Sequence, residues 1–284
     1  MSFKVQKEKI REICRDLLKN GQVDVIIGYT EGGIEGMRIP YMFDKPEEAA
    51  ALEWDERCAP NLCKYLLEKK GKKVGIVAKA CDARGIVNYL VESQLTRENV
   101  YIIGMDCMGM VDADGDKLPG CAECNVKKPP LFDVRVENPD VKEADAKIEK
   151  TDGLAGNPDK FKKEMDKCIL CFSCRQACYG CYCQVCFMER GVPNWQPAAP
   201  DMGTKMVYHL GRAMHLAGRC IECGACERVC ASGVNVRYLI EGVTDFVEKI
   251  YDYRTGIDVE KDPVMATYKT DDREVGFVGG DAHE

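Results

Sequence analysis

The 284-residue sequence predicts an α/β domain with a mostly parallel sheet, followed by a second, mainly helical domain. In the first half, short apolar runs typical of strands alternate with stretches of helical periodicity, the order that builds parallel sheets. In the second half, cysteines are concentrated in two runs beside amphipathic helical patterns. We therefore expect domains at residues 1–132 and 164–251, joined by a polar connector at 133–163 and followed by an extended docking tail at 252–284.

The apolar pattern gives the predicted elements of the first domain in chain order. Its periodicity predicts a helix over residues 5–20, and Glu47–Lys69 is predicted to be mostly helical with a break at Pro60. Asp82 is expected to cap a helix that ends at Leu95. The runs that predict buried strands are Val23–Tyr29, Lys73–Ala78 and Val100–Met105.

Two amphipathic helices are predicted in the second domain. One is Val236–Tyr251. The other is Met202–Ala217, which is expected to bury Met206, Leu210, Ala213, Met214 and Ala217. The tail at 252–284 is polar with scattered apolar residues and cannot form a core alone, so we expect it to be disordered or laid across a partner.

Composition and charge exclude several classes of protein. Lys plus Arg number 40 and Asp plus Glu number 47, and this net charge of -7 argues against a general affinity for nucleic acid or anionic membrane. No apolar run approaches the ~20 residues that a transmembrane helix needs. The charged N-terminal segment is unlike a secretory signal, so we expect a cytoplasmic protein. In such a protein, 18 cysteines point to metal rather than to disulfides.

Two cysteine runs share the spacing C-x2-C-x2-C-x3-C, which is typical of [4Fe–4S] ferredoxins. The fourth cysteine of each run ligates the other cluster. One predicted cluster therefore takes Cys168, Cys171, Cys174 and Cys230. The other takes Cys220, Cys223, Cys226 and Cys178. Structural zinc is the weaker alternative, because zinc sites use two close pairs rather than duplicated runs of four.

Three further cysteines extend the first run. Cys181 gives the spacing C-x3-C-x2-C together with Cys174 and Cys178, which is the spacing of radical S-adenosylmethionine enzymes. That assignment would break up a complete ferredoxin run, so we do not favour it. Cys183 and Cys186 have no assigned role either, and all three extra cysteines are expected to be packing thiols.

The predicted helix between the two runs carries four residues of possible interest. His209 and His215 are six residues apart and face different sides, so we expect them to be structural. Arg212 and Arg219 either raise a cluster potential by their positive charge or are ordinary surface residues.

A looser set of four cysteines lies in the first domain. Cys81 and Cys107 follow predicted strands, and Cys121 and Cys124 form C-x2-C in the next loop. Loops at the carboxyl ends of parallel strands converge on one crevice. These four thiols could hold a third [4Fe–4S] cluster, although zinc fits their spacing equally well.

Other features of the first domain leave alternatives open. Cys14 lies on the apolar face of the first helix and is expected in the core, whereas Cys58 and Cys63 are ambiguous. The glycines of Gly32–Gly36 either approach a phosphate or form a plain turn.

The segment Lys73–Met110 contains A-K-A-C-D-A-R-G and G-M-D-C, and the segment Cys121–Cys124 is C-A-E-C. With these motifs, roughly residues 10–130 resemble the β subunit of the deazaflavin-reducing hydrogenases and dehydrogenases of methanogens. The resemblance implies one [4Fe–4S] cluster on Cys81, Cys107, Cys121 and Cys124, beside FAD. It also makes Lys79 and Arg84 candidates for phosphate or flavin contacts, with ordinary surface charge as the alternative.

Two departures from that family concern FAD. The family has a Gly-rich segment ahead of its first helix, which helps to build the flavin site, whereas this sequence begins at the helix. Residues Asp55–Asn61 also find no match in the flavin-facing region. The sequence therefore leaves FAD open.

The second domain, through His215–Cys230, resembles the helical dicluster ferredoxin of the heterodisulfide reductase C subunit and of succinate dehydrogenase iron–sulfur subunits.

Together these features predict an iron–sulfur electron-transfer subunit of a multi-subunit oxidoreductase complex. The expected partners are flavoprotein, heterodisulfide-reductase-like, formate dehydrogenase or hydrogenase subunits. One alternative is a flavin-containing subunit that itself oxidises or reduces a deazaflavin or nicotinamide. A zinc scaffold without redox chemistry is the third hypothesis, and it predicts a colourless protein.

Overall fold

A mixed five-stranded sheet organises the first domain of the computed structural model, which describes residues 3–69, 71–142, 157–189 and 200–265. The strand order is β2-β1-β3-β4-β5. Only the β1–β2 pair is antiparallel, and the other three pairs are parallel. The strands are β1 (Val25–Glu31), β2 (Arg38–Phe43), β3 (Val74–Lys79), β4 (Val100–Met105) and β5 (Val134–Val136). The predicted α/β class with a mostly parallel sheet is confirmed.

Two helices flank this sheet. Helix α1 (Phe3–Lys19) buries Ile10, Cys14 and Leu17 against it, as the periodicity predicts. Helix α2 (Ala80–Val91) follows directly on the fully buried β3. The Asp82 carboxylate caps α2 by accepting a hydrogen bond from the Lys79 amide at 3.0 Å.

One strand of the first domain was not expected, and one of its predicted elements is wrong. Strand β2 was not expected, although its burial alternates as in a half-exposed edge strand. Glu47–Lys69 is not α-helical: it contains 3₁₀ turns at Pro46–Ala51 and Cys63–Lys69. Between these turns the Pro60 carbonyl accepts hydrogen bonds from Tyr29 and Lys79, which hold the chain in an irregular path.

The expected connector at 133–163 is partly built into the fold. Its first residues form β5, which pairs with β4 through Ile103 and Val134. Its last residues begin helix α4 (Pro158–Lys167), after the short α3 (Pro119–Ala122) of the first domain. Residues 143–156 lie outside the described part of the chain.

The described part of the second domain is helical. Its elements are α5 (Ser173–Gln176), a 3₁₀ turn at Phe187–Glu189, α6 (Met202–His215), α7 (Ala225–Arg228) and α8 (Val236–Tyr251). The predicted buried stripe of α6 is partly wrong, because Leu210 and Met214 are exposed. The side that α6 buries instead carries Thr204, Tyr208, His209, Arg212 and Ala213.

Buried hydrogen bonds join the two domains. The Tyr89 hydroxyl donates to the Tyr179 carbonyl at 2.7 Å. Arg84 donates to the carbonyls of Ile221 and Thr255 at 3.1 and 3.0 Å. Glycine is required at Gly256, where a Cβ would lie 2.2 Å from the Arg84 carbonyl oxygen.

The beginning of the expected tail packs against the rest of the chain, because Tyr253 and Thr255 are buried. The docking role of the tail stays a prediction. Residues 266–284 lie outside the described part. Among the described helices, none combines the length and apolar character needed to cross a membrane.

Candidate metal centres

The two cysteine runs fold into the same loop twice. We call residues 168–178 the outer loop and residues 220–230 the inner loop. The second and fourth residues after the first cysteine have left-handed backbone conformation in both, with φ values of 53° and 60° in the outer loop and 59° and 69° in the inner loop. A four-residue helix starts at the next position in each loop, as α5 and α7. The repeated spacing therefore corresponds to a repeated backbone.

Backbone amides point at the first sulfur of each loop. The Leu170 N–H lies 3.4 Å from Cys168 Sγ, and the Glu222 N–H lies 3.4 Å from Cys220 Sγ. Such N–H···S hydrogen bonds stabilise a thiolate and are one of the ways in which a protein tunes a cluster.

The structure brings the first predicted ligand set onto one cavity. Three of its members come from the outer loop and Cys230 comes from the inner loop, as the exchange of fourth cysteines predicts. His209 borders the same cavity, with its Nε2 at 3.2 Å from Cys168 Sγ. We call this cavity site I, with Cys168, Cys171, Cys174 and Cys230.

The second predicted set also lies together. Burial raises the pKa of the Cys226 thiol to about 12. The positive charge of Arg212 acts in the opposite direction, and the neighbouring Cys178 and Cys223 thiols raise the pKa further. Cys220 interacts electrostatically with Cys226 and Cys223. We call this group site II, with Cys220, Cys223, Cys226 and Cys178.

The four cysteines of the first domain line a third cavity, together with Cys223 of the inner loop. Burial raises the pKa of Cys107 to about 11, while the Gly109 amide, 3.4 Å from its sulfur, acts in the opposite direction. The shared Cys223 makes this cavity a direct neighbour of site II. We call it site III, with Cys81, Cys107, Cys121 and Cys124.

The chemistry of these donor sets fits [4Fe–4S] clusters. Each site offers four thiols, and sites I and III each surround a cavity. Buried thiols with raised pKa values lose their protons when a metal binds, because the positive charge of the metal stabilises the thiolates. Within the described residues, no group of three or more His, Cys, Asp or Glu side chains has an arrangement that could hold a single metal ion.

Lys79 and Arg84 border site III, but neither is a surface charge. Lys79 is buried, pairs with Asp82 at 3.0 Å and donates hydrogen bonds to Tyr29 and Pro60. Arg84 is buried at the domain interface. The interpretation of both as ordinary surface residues is therefore wrong, and a contact with flavin stays a prediction.

The two arginines of the α6 region differ in their surroundings. Arg219 forms an ion pair with Glu92 at 2.6 Å and stacks over Tyr182. Arg212 is only 4% exposed and donates to the Cys174 carbonyl at 3.0 Å. Its Nε and Nη1 atoms have no hydrogen-bond partner among the described residues. Arg212 therefore places a buried positive charge between sites I and II, where it interacts with Cys178 and Cys181.

A larger cavity of about 540 Å³ adjoins site III. Arg38 and Arg57 line it, and Arg228 borders both this cavity and site III. The β1–β2 turn closes one side. Its Gly36, at φ +76°, leaves no room for a Cβ beside Arg57. The glycines after β1 thus form a turn, and that turn also lines a cavity.

Comparison with known proteins now adds to this geometry. No family model matches the chain. The chain is similar to the F420-dependent formate dehydrogenase subunit beta of Methanocaldococcus jannaschii, with 19% identity over 90% of this chain and 93% of the relative. It is also similar to the F420-dependent formate dehydrogenase 1 subunit beta of Methanococcus maripaludis, with 21% identity over 90% and 92%. Both relatives are β subunits of redox complexes, which agrees with the deazaflavin-linked resemblance.

Sequence reasoning missed two side chains at these sites. The Tyr208 hydroxyl lies 3.5 Å from Cys174 Sγ, and Cys181 hydrogen bonds to Cys178. The four-residue steps from Thr204 to Tyr208 and Arg212 would have indicated this face of α6, but polar residues were not expected to be buried. The resemblance of the second domain to a dicluster ferredoxin stays a prediction.

Proposed function

We propose that the chain is an iron–sulfur electron-transfer subunit of a multi-subunit cytoplasmic oxidoreductase complex, relaying electrons through three [4Fe–4S] clusters. The observation that supports this best is the order of the three sites. Site III adjoins site II through Cys223, and sites I and II are linked because each loop gives its fourth cysteine to the other site. The resulting chain III–II–I runs from the first domain to the outer loop.

The cluster ligands would be the four cysteines already named for each site. A bound [4Fe–4S] cluster supplies one-electron transfer at a potential that its surroundings set. The protein contributes fixed sites, N–H donors to the sulfurs and the buried charge of Arg212. Packing of the inner loop against the first domain limits the access of water to the centre of the chain of clusters.

The partners are other redox subunits. The relatives are named as β subunits of formate dehydrogenases, so a formate dehydrogenase complex is the first candidate. Flavoprotein, heterodisulfide-reductase-like and hydrogenase subunits are the other candidates. Cys171 of site I is exposed, which makes the outer loop the natural place for electrons to enter or leave.

A second candidate function follows from the cavity beside site III. Its volume of about 540 Å³ lies within the range of small-molecule sites, about 300–1,000 Å³. Of the arginines on this cavity, Arg57 would bind the phosphates of an FAD, because Arg38 is paired with Asp55 and Arg228 donates to the Cys223 and Ala59 carbonyls. The chain would then itself oxidise or reduce a deazaflavin or nicotinamide, in keeping with the F420-dependent relatives.

The deciding experiment is the iron, zinc and flavin content of the anaerobically purified chain. We expect about twelve irons, as for three cubanes, falling to about eight in Cys107→Ser. The matched control is Cys14→Ala, which removes a buried thiol outside the three sites. Bound flavin, or flavin taken up from solution, would favour the second candidate. Zinc in place of iron would contradict both.

A further inference from the structure

Two neighbouring side chains of α6 reach sulfur atoms of site I. The Tyr208 hydroxyl lies 3.5 Å from Cys174 Sγ, and His209 Nε2 lies 3.2 Å from Cys168 Sγ. Both side chains are buried, so little water competes for these contacts. A hydrogen bond in such surroundings is electrostatically stronger than the same bond in water.

Ligation would fix the direction of both hydrogen bonds. A cysteine bound to iron is a thiolate and has no proton to donate. The Tyr208 hydroxyl and the His209 imidazole are then the donors, and the imidazole carries its proton on Nε2. The Nδ1 atom of His209 has no hydrogen-bond partner among the described residues. A buried Nδ1 without a proton agrees with that tautomer, because the other tautomer would leave an N–H group unpaired.

The outer loop is adapted to hold the Tyr208 ring. Phe172 packs edge-on against it, with the two ring centroids 5.0 Å apart. Phe172 has a φ value of 60°, a left-handed conformation that favours glycine. The inner loop has Gly224 at the same place, with a φ value of 69°. The outer loop therefore has a less favourable residue at this turn, and that residue orients Tyr208.

The other two sulfurs of site I have partners close to them in the chain. The Ser173 hydroxyl lies 3.4 Å from Cys171 Sγ, and the Val234 N–H donates to Cys230 Sγ at 3.2 Å. With the two contacts from α6, each of the four sulfurs of site I has a hydrogen-bond partner.

We propose that Tyr208 and His209 are positioning residues that raise the reduction potential of the cluster at site I. Reduction adds negative charge, which the sulfurs share, so a hydrogen bond to a ligand sulfur stabilises the reduced form more than the oxidised form. This inference rests on the proposed function, because the potential belongs to the bound cluster. The two donors draw electrons towards the end of the chain of clusters at which Cys171 is exposed.

The test is a redox titration of the anaerobic full chain, followed by electron paramagnetic resonance. Cys171→Ser identifies the signal of site I, because Cys171 belongs to that ligand set alone. We expect Tyr208→Phe and His209→Phe each to lower the equilibrium constant for reduction of site I by about three- to tenfold. This change corresponds to a fall in potential of about 30–60 mV for one electron. The potentials of the other two clusters should change less.

Matched variants separate hydrogen bonding from packing. Tyr208→Phe removes the hydroxyl and keeps the ring that packs against Phe172. His209→Gln keeps an N–H group and should lower the potential less than His209→Phe. The control is His215→Phe, the same change at an exposed residue of α6 that does not border site I, and it should leave the potential of site I unchanged.

Iron is measured in the same samples, so that the two proposals can fail separately. An unchanged potential of site I in both phenylalanine variants, with about twelve irons bound, would overturn this inference alone. Equal shifts in His209→Gln and His209→Phe would overturn the role of the His209 N–H. Loss of about four irons in His209→Phe would also overturn it, because His209 would then be a ligand. Absence of iron from the unmodified chain would contradict the proposed function, and the inference with it.

Discussion

The outer and inner loops have the same backbone in different surroundings. The residue after the first cysteine is isoleucine in both, yet Ile169 is 63% exposed and Ile221 only 2%. Eight positions after the first cysteine, Arg228 of the inner loop donates to the Ala59 carbonyl of the first domain at 3.2 Å. The outer loop has Gln176 at that place. The inner loop is thus packed against the first domain, whereas more residues of the outer loop are exposed.

This difference assigns different roles to two similar ligand sets. The spacing of the cysteines determines the loop, because the left-handed positions and the short helices recur in both. The surroundings then determine what each site can do. In the proposed function, the inner loop connects site II to site III, and the more exposed outer loop offers site I to a partner.

The largest effect should come from breaking the tie between the inner loop and the first domain. Arg237 is buried and pairs with Glu227 of the inner loop, with Glu123 between two cysteines of site III, and with Glu241. Arg237→Met leaves these carboxylates without their cation, and we expect the free energy of unfolding to fall by about 3–5 kcal/mol. Chemical denaturation measures it. Arg237→Lys keeps the positive charge, so its free energy of unfolding should fall by less. Equal falls in both variants would show that the charge is not the cause.

The matched isoleucines give the most direct comparison of the two loops. Ile221→Ala opens a cavity at the domain interface and should cost about 2–5 kcal/mol, whereas Ile169→Ala should stay within about 0.5 kcal/mol. Denaturant titration of both variants, with iron content checked, makes the measurement. Similar costs at the two positions would contradict the assignment of an inner and an outer loop.

The next effect concerns the charge between sites I and II. Reduction adds negative charge to a cluster, and a buried cation stabilises the reduced form. We expect Arg212→Gln to lower the potentials of both clusters by on the order of 100 mV, the effect of one unit charge at an effective dielectric constant of about 20. Redox titration followed by electron paramagnetic resonance measures the shift. Arg219→Gln is the control, and an equal shift there would mean that the Glu92 pair does not compensate the charge.

The sequence predicts the parts of this molecule that depend on local pattern. The α/β class, α1, β3, β4, α8 and the repetition of one loop at the two cysteine runs follow from periodicity and spacing. Strand β2 and the 3₁₀ turns were not predicted because they depend on tertiary contacts. Strand β2 depends on its pairing with β1, and the path of the turns depends on the hydrogen bonds to the Pro60 carbonyl. The burial of Arg84 and Arg212 was not predicted for a related reason. Arg84 is buried because the two domains meet around it, and Arg212 is buried where α6 packs against the outer loop.

The smallest effect tests the surface on which the inner loop rests. Cys58 precedes Ala59, whose carbonyl accepts the hydrogen bond from Arg228. Burial raises the pKa of the Cys58 thiol to about 12, although the hydrogen bond from the Asp55 amide acts in the opposite direction. A thiol with a pKa raised on folding contributes stability that is complete below its unfolded pKa near 9.0 and is lost as pH rises above it. For Cys58 alone the loss at pH 9.5 should be about 0.8 kcal/mol relative to neutral pH. Cys14 and Cys63, whose pKa values burial also raises, add to the total loss. Unfolding measured from pH 7 to 9.5 gives the total, and Cys58→Ala should reduce it by about 0.8 kcal/mol. If Cys58→Ala keeps the full pH dependence of the free energy of unfolding, then the alkaline loss of stability arises at other groups. Cys58 would then not be a buried thiol beside the contact between Arg228 and Ala59.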